Sequence, residues 1–213
     1  SGIDSIYFID DFKDILSSIA TKVDTFYINK NEHYRANSPV ETREDRFISW
    51  LLKKYPAHNV AKSNPILQRQ RSIKHPDEID QIKKACDITR KGFNRVLEFI
   101  KPNVWEYEIE AEFIHEFINS SSKGFAYSPI IASGNDNNVL HYIKNNKQCK
   151  SGELILMDVG AEYGNYSSDM TRTVPVSGKF SKRQKEIYNA VLRVKNEATK
   201  LLTVGNNWKI FHE

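Results

Sequence analysis

The sequence predicts a mixed α/β (α+β) fold in two parts. Three observations carry this. Strands and helices alternate over the first 56 residues, long amphipathic helices follow, and an apolar hairpin then carries one aspartate in each strand.

Ser5–Ile9 reads as a short strand. Phe12, Ile15, Leu16, Ile19, Ala20 and Val23 fall at helical spacing. Thr25–Ile28 reads as a second strand. A helix from Thr42 to Tyr55 places Phe47, Ile48, Leu51, Leu52 and Tyr55 on one face, and Pro56 ends it. This alternation points to part of a parallel sheet, too small for a whole doubly wound domain. Residues 57–75 read as a polar connector.

Pro76 opens a long helix at a first-turn position, with Asp77 and Glu78 at its positive end. Its expected buried stripe is Ile79, Ile82, Cys86, Phe93, Val96, Leu97 and Ile100, and Pro102 ends it. The next helix runs from Trp105 to Asn119, with Trp105, Ile109, Phe113 and Phe117 four apart. Ser120–Gly124 reads as a loop. Ala126–Ala132 reads as an edge or bulged strand, because Pro129 interrupts it. A turn-rich loop, Gly134–Asn138, leads into Val139-Leu140-His141-Tyr142. Ser181 and Gln184 form a capping box. It opens a helix expected to bury Ile187, Val191, Val194, Ala198, Leu201 and Leu202. A faint internal repeat relates the segments around Trp105 and Trp208.

Residues 153–173 are the most informative stretch. Asp158 and Asp169 lie eleven residues apart in an apolar hairpin. Asp disfavours strands, and burying its charge is costly. A two-residue turn at Gly164-Asn165 suits positive φ. It pairs Tyr163 with Tyr166, and therefore Asp158 with Thr171. Side chains alternate, so Asp169 shares a face with Thr171 and lies diagonal to Asp158, roughly 7–8 Å away at Cα. Two carboxylates so placed repel unless one is protonated or a cation bridges them. Oxygen-only ligation favours Mg or Mn. The competing reading is a solvated hairpin with two surface aspartates.

Composition bounds the function. With 213 residues, 39% hydrophobic and 27% charged, the chain is ordinary for a globular protein. A well-mixed net charge of +4 gives no argument for nucleic-acid or membrane binding. Two cysteines, Cys86 and Cys149, lack metal spacing and suggest a reducing cytoplasm. No signal peptide or membrane-spanning run is evident, and the Ser-Gly start looks internal to a longer chain.

Other candidates carry two readings each. His141 is either a satisfied, partly buried histidine or a catalytic imidazole. Glu112 and His115 have the spacing of di-iron sites, but they sit among Glu106, Glu108, Glu110 and Glu116, which read as a solvated acidic face. His212 and Glu213 read as helix-face residues. Arg172 reads as structural or electrostatic support for Asp169.

These residues resemble the proline-specific metallopeptidases of the pita-bread fold, with aminopeptidase P (Xaa-Pro aminopeptidase) and prolidase nearest. The aspartate hairpin, Val139-Leu140-His141-Tyr142 before it and Val176-Ser177-Gly178-Lys179-Phe180-Ser181 after it carry the resemblance. The run from Arg71 to Ala85 looks like the start of their catalytic domain. The resemblance implies residues 1–70 as the tail of a creatinase-like α/β N-terminal domain. It implies residues 71–213 as the first half of a pita-bread domain. It further implies two divalent ions, commonly manganese, held by two aspartates, one histidine and two glutamates. Asp158 and Asp169 match the aspartates. His141 matches the histidine that contacts substrate and stabilises the tetrahedral intermediate. The other three ligands, one of them the usual general base, lie beyond residue 213. The resemblance therefore implies a parent enzyme acting on peptides with proline at the second position, and a fragment that is inactive and binds metal weakly or not at all. Xaa-Pro dipeptidase activity, a non-catalytic peptide- or protein-binding module, and homodimerisation stay open.

Overall fold

The computed structural model describes residues 3–29 and 40–212. The chain divides into two compact units, Ser1–Lys74 and His75–Glu213. No described helix is long and apolar enough to cross a membrane.

The first unit contains α1 (Phe12–Ala20), β1 (Thr25–Ile28), α2 (Arg43–Lys54), β2 (Asn59–Lys62) and α3 (Asn64–Ser72). β1 and β2 pair in parallel, Thr25 opposite Asn59 and Ile28 opposite Lys62. Thr42 caps α2 by a reciprocal capping box with Asp45. Two expectations fail here. Ser5–Ile9 is not a strand; only a 3-10 turn forms at Ile9–Asp11, and Ile6 and Phe8 stand exposed. A strand needs a neighbour for its backbone groups, and no described strand pairs with it. The polar connector 57–75 instead holds β2 and α3. Its one local signal was Pro65 in the first turn of α3.

The second unit begins with α4 (Pro76–Phe99) and α5 (Glu106–Asn119). β3 (Gly124–Phe125) and β4 (Ile130–Ser133) lead to the hairpin of β5 (Leu154–Val159), β6 (Ala161–Tyr163), β7 (Tyr166–Ser167) and β8 (Met170–Pro175). Helices α6 (Lys182–Lys200) and α7 (Trp208–His212) complete it. The strands form two three-stranded sheets, in orders β3-β6-β7 and β4-β5-β8. The core lies between them and the α4–α5 pair, around Phe93, Ile109, Phe113, Phe117, Ile155 and Met157. Phe93 meets Phe113 edge to face, with ring centroids 5.1 Å apart.

Four details depart from the periodicity. The buried stripe of α4 is Ala85, Ile88, Thr89, Gly92, Phe93 and Val96, while Cys86 is exposed. Gly92 marks the closest approach of α4 to α5, since a Cβ there would sit 2.7 Å from the Phe117 ring and 3.0 Å from that of Phe113. In α5 Ile109, Phe113 and Phe117 are buried, but Trp105 is its partly exposed N-cap. The expected strand Ala126–Ala132 is displaced to Ile130–Ser133, because Pro129 cannot donate to the ladder; Gly124 and Phe125 form β3 instead. The apolar stripe of α6 is exposed rather than buried, with Ile187 at 50%, Val191 at 63% and Val194 at 70%. None of the described residues covers that face well enough to bury it.

Candidate active site

The hairpin places the two aspartates. Asp158 pairs with Thr171, and Tyr163 pairs with Tyr166 across Gly164-Asn165. Both turn residues have positive φ, 58° and 66°, as the two-residue turn requires. Along β5, Ile155, Met157 and Val159 point into the core, so Leu156 and Asp158 face the other way.

The hairpin is not one continuous ladder. It breaks at Gly160, opposite Ser168–Asp169, and the two halves join different sheets. A Cβ on Gly160 would sit 1.8 Å from the Ser168 carbonyl oxygen, so only glycine fits. The break is locked from α4. The fully buried Thr89 hydroxyl lies 2.6 Å from that of Ser168, and the Ala161 N–H donates to both, at 2.9 and 3.0 Å. Asp169 is thus held by its neighbour at the point where the strands part.

Tyr127 joins the pair. Its hydroxyl reaches Asp158 Oδ1 at 2.7 Å and Asp169 Oδ1 at 3.1 Å. Burial, then the hydrogen bond to Asp158, push its phenol well above the usual tyrosine range. It therefore stays a donor. One hydroxyl proton serves one oxygen at a time, so two carboxylates converge with their charge incompletely balanced. Asp158 is half-buried and Asp169 exposed, with both carboxylates within reach of one atom. Such all-oxygen donors fit a hard divalent cation. Among the described residues, no group of three or more His, Cys, Asp or Glu could hold a metal ion.

His141 is exposed, not partly buried, with φ of +55°. It lines a concavity of about 290 Å³ together with Val139, Ile130, Leu156, Asp158 and Thr171. The remaining candidates lie elsewhere. Glu112 is paired with Arg95 at 2.5 Å, and His115 is exposed. Arg172 donates to the Thr171 carbonyl. His212 stacks on Trp208 in α7, and Glu213 lies outside the described residues. The acidic face of α5 needs correction. Glu106 is completely buried, and Glu110 accepts a hydrogen bond from Asn145. Neither Tyr127 nor Glu106 had a signature in sequence, since their partners lie 27 to 42 residues away.

The chain is similar to known proteins along nearly its whole length. Metallopeptidase family M24 matches residues 80–213. The Xaa-Pro aminopeptidase of Haemophilus influenzae is 33% identical over 211 residues, covering 98% of this chain and 46% of its own length. The solved structure of Pseudomonas aeruginosa aminopeptidase PepP is 30% identical with a TM-score of 0.86, covering 99% of this chain and 48% of its own. A zinc-substituted Escherichia coli aminopeptidase P in complex with product is 30% identical with a TM-score of 0.83, covering 94% and 46%. The chain thus spans about half the length of the relatives it matches.

Proposed function

Since the chain belongs to metallopeptidase family M24, we propose that the whole protein is a metallo-aminopeptidase. It releases the N-terminal residue from peptides with proline at the second position. The observation that carries this is the convergence of Asp158 and Asp169 on the Tyr127 hydroxyl, in a chain similar throughout to Xaa-Pro aminopeptidases.

Asp158 and Asp169 would hold divalent cations, with manganese suited to their hard oxygen donors. Such cations, when bound, polarise a carbonyl and lower the pKa of water. The chain's own residues do the rest. Tyr127 keeps the two carboxylates in one arrangement. His141, across the cleft, donates an N–H toward the oxygen on which charge develops. Ile130, Val139 and Leu156 give the cleft an apolar lining that suits a proline ring. Among the described residues no third His, Cys, Asp or Glu joins the two carboxylates, and two carboxylates make a weak site, so we propose that the chain is inactive by itself.

The test is hydrolysis by the whole protein, with manganese, of an Xaa-Pro peptide and a matched Xaa-Ala peptide, with products read by mass. Cleavage of the first alone, abolished by a chelator, is expected. Equal cleavage of both, or indifference to the chelator, would overturn the proposal.

A further inference from the structure

Glu106 opens α5 with its carboxylate completely buried. Its two oxygens accept four hydrogen bonds. Oε1 takes the Ser133 N–H at 2.8 Å and the Ser133 hydroxyl at 2.7 Å. Oε2 takes the Tyr142 hydroxyl at 2.8 Å and the Lys147 N–H at 3.0 Å. Ser133 ends β4, and Tyr142 directly follows His141. One carboxylate therefore ties together both ends of the segment 133–142. That segment forms the wall of the cleft that faces Asp158 and Thr171.

Two features show that the wall is held rather than relaxed. His141 occupies the left-handed region, which a non-glycine residue keeps only when its surroundings impose it. The wall is also tied along its length. Asn137 accepts from the Leu156 N–H and donates to the Leu154 carbonyl, and Lys147 pairs with Asp136 at 2.6 Å. Past the neck, Asn145 accepts from the Ile131 N–H and donates to the Pro129 carbonyl. Those ties fix single points. Glu106 closes the neck.

The chemistry of the neck also selects the residue. All four partners are used as donors, and a carboxylate is the side chain that only accepts, at up to four positions. Glutamine has the same shape, but its NH₂ would face one hydroxyl, which can turn to accept, and one backbone N–H, which cannot and is left unpaired. A buried charge is tolerated here because every lone pair is engaged.

We propose that Glu106 is a positioning residue that sets the His141 imidazole against Asp158. The proposal rests on the reading of Asp158, Asp169 and His141 as the reactive centre. The experiment compares the wild type, Glu106→Gln and Tyr142→Phe in two measurements. The first is amide hydrogen exchange. Glu106→Gln should speed exchange across 134–147 by about tenfold, the effect of one unpaired buried donor, and leave α4 and β5 unchanged. The second is proximity. Added Mn²⁺ should broaden the His141 ring protons, assigned by their loss in His141→Ala, and the Tyr127 ring protons. In Glu106→Gln the Tyr127 broadening should persist while the His141 broadening falls. Unchanged His141 broadening in Glu106→Gln would overturn the proposal, whether or not exchange is faster. If Mn²⁺ broadens neither residue in the wild type, the metal reading fails; the proximity of His141 to β5 is then read from nuclear Overhauser contacts between its ring and Thr171, whose persistence in Glu106→Gln would overturn the proposal. If Glu106→Gln does not fold, Tyr142→Phe removes a single donor and carries both measurements.

Discussion

A carboxylate on a strand must face either the core or the cleft, and the alternation of β5 decides it for Asp158. That decision was legible in sequence, because a period of two and a two-residue turn are local. The register follows from Gly164-Asn165 alone, and Asp158 does pair with Thr171. What surrounds the aspartates was not legible. Tyr127 meets them across 31 and 42 residues of chain, and nothing near Pro129 announces it. Glu106 looked like one of several solvated glutamates, because its four donors come from three separate later positions. The Thr89–Ser168 contact spans 79 residues and is equally silent. It carries a prediction. Thr89→Val keeps the shape but leaves the Ser168 and Ala161 groups short of a partner. It should cost about 1–3 kcal/mol in urea unfolding, whereas Thr89→Ser should restore most of that.

Among the elements, the hairpin shows how one residue divides a sheet. Strands β5 and β8 belong to one sheet and β6 and β7 to the other, and the chain crosses between them at Gly160. Sequence reading gave the register but a single unbroken ladder, since glycine in a strand does not say whether it marks a bulge, a crossing or a ligand. Gly160→Ala would force its methyl into the Ser168 carbonyl. A loss of about 3 kcal/mol or more is expected in denaturant unfolding, with the Asp169 end of the hairpin the first to lose amide protection. In α5, periodicity named Ile109, Phe113 and Phe117 correctly, and all three are fully buried. Phe113→Ala should cost about 3–5 kcal/mol in the same assay. In α6 the same reasoning named an apolar face and misjudged its burial. Periodicity reports which residues share a face, and burial depends on what lies opposite.

For the whole molecule, two units are evident, and the second carries the aspartates, Tyr127, His141 and Glu106. Stability of that unit should fall in alkali for a definable reason. Burial pushes the Cys149 thiol from its ordinary 9.0 up to about 11, partly offset by a hydrogen bond with Ser133. The unfolded chain therefore releases this proton first. The contribution is complete below about pH 9 and is lost as pH rises toward 11. Tyr127 and Tyr142, raised by burial and by their carboxylate partners, add to the loss above pH 10. Urea midpoints measured from pH 8 to 11 should decline, and Cys149→Ala should flatten the part between 9 and 11. The proposed metal chemistry belongs to this scale too, because among the described residues no group of three or more His, Cys, Asp or Glu could hold a metal ion. The role of Asp158 is tested most directly by titrating Mn²⁺ into the whole protein by calorimetry, wild type against Asp158→Asn. Affinity should fall by at least about a hundredfold with the melting temperature preserved. Equal affinity in the two proteins would remove Asp158 from the metal centre.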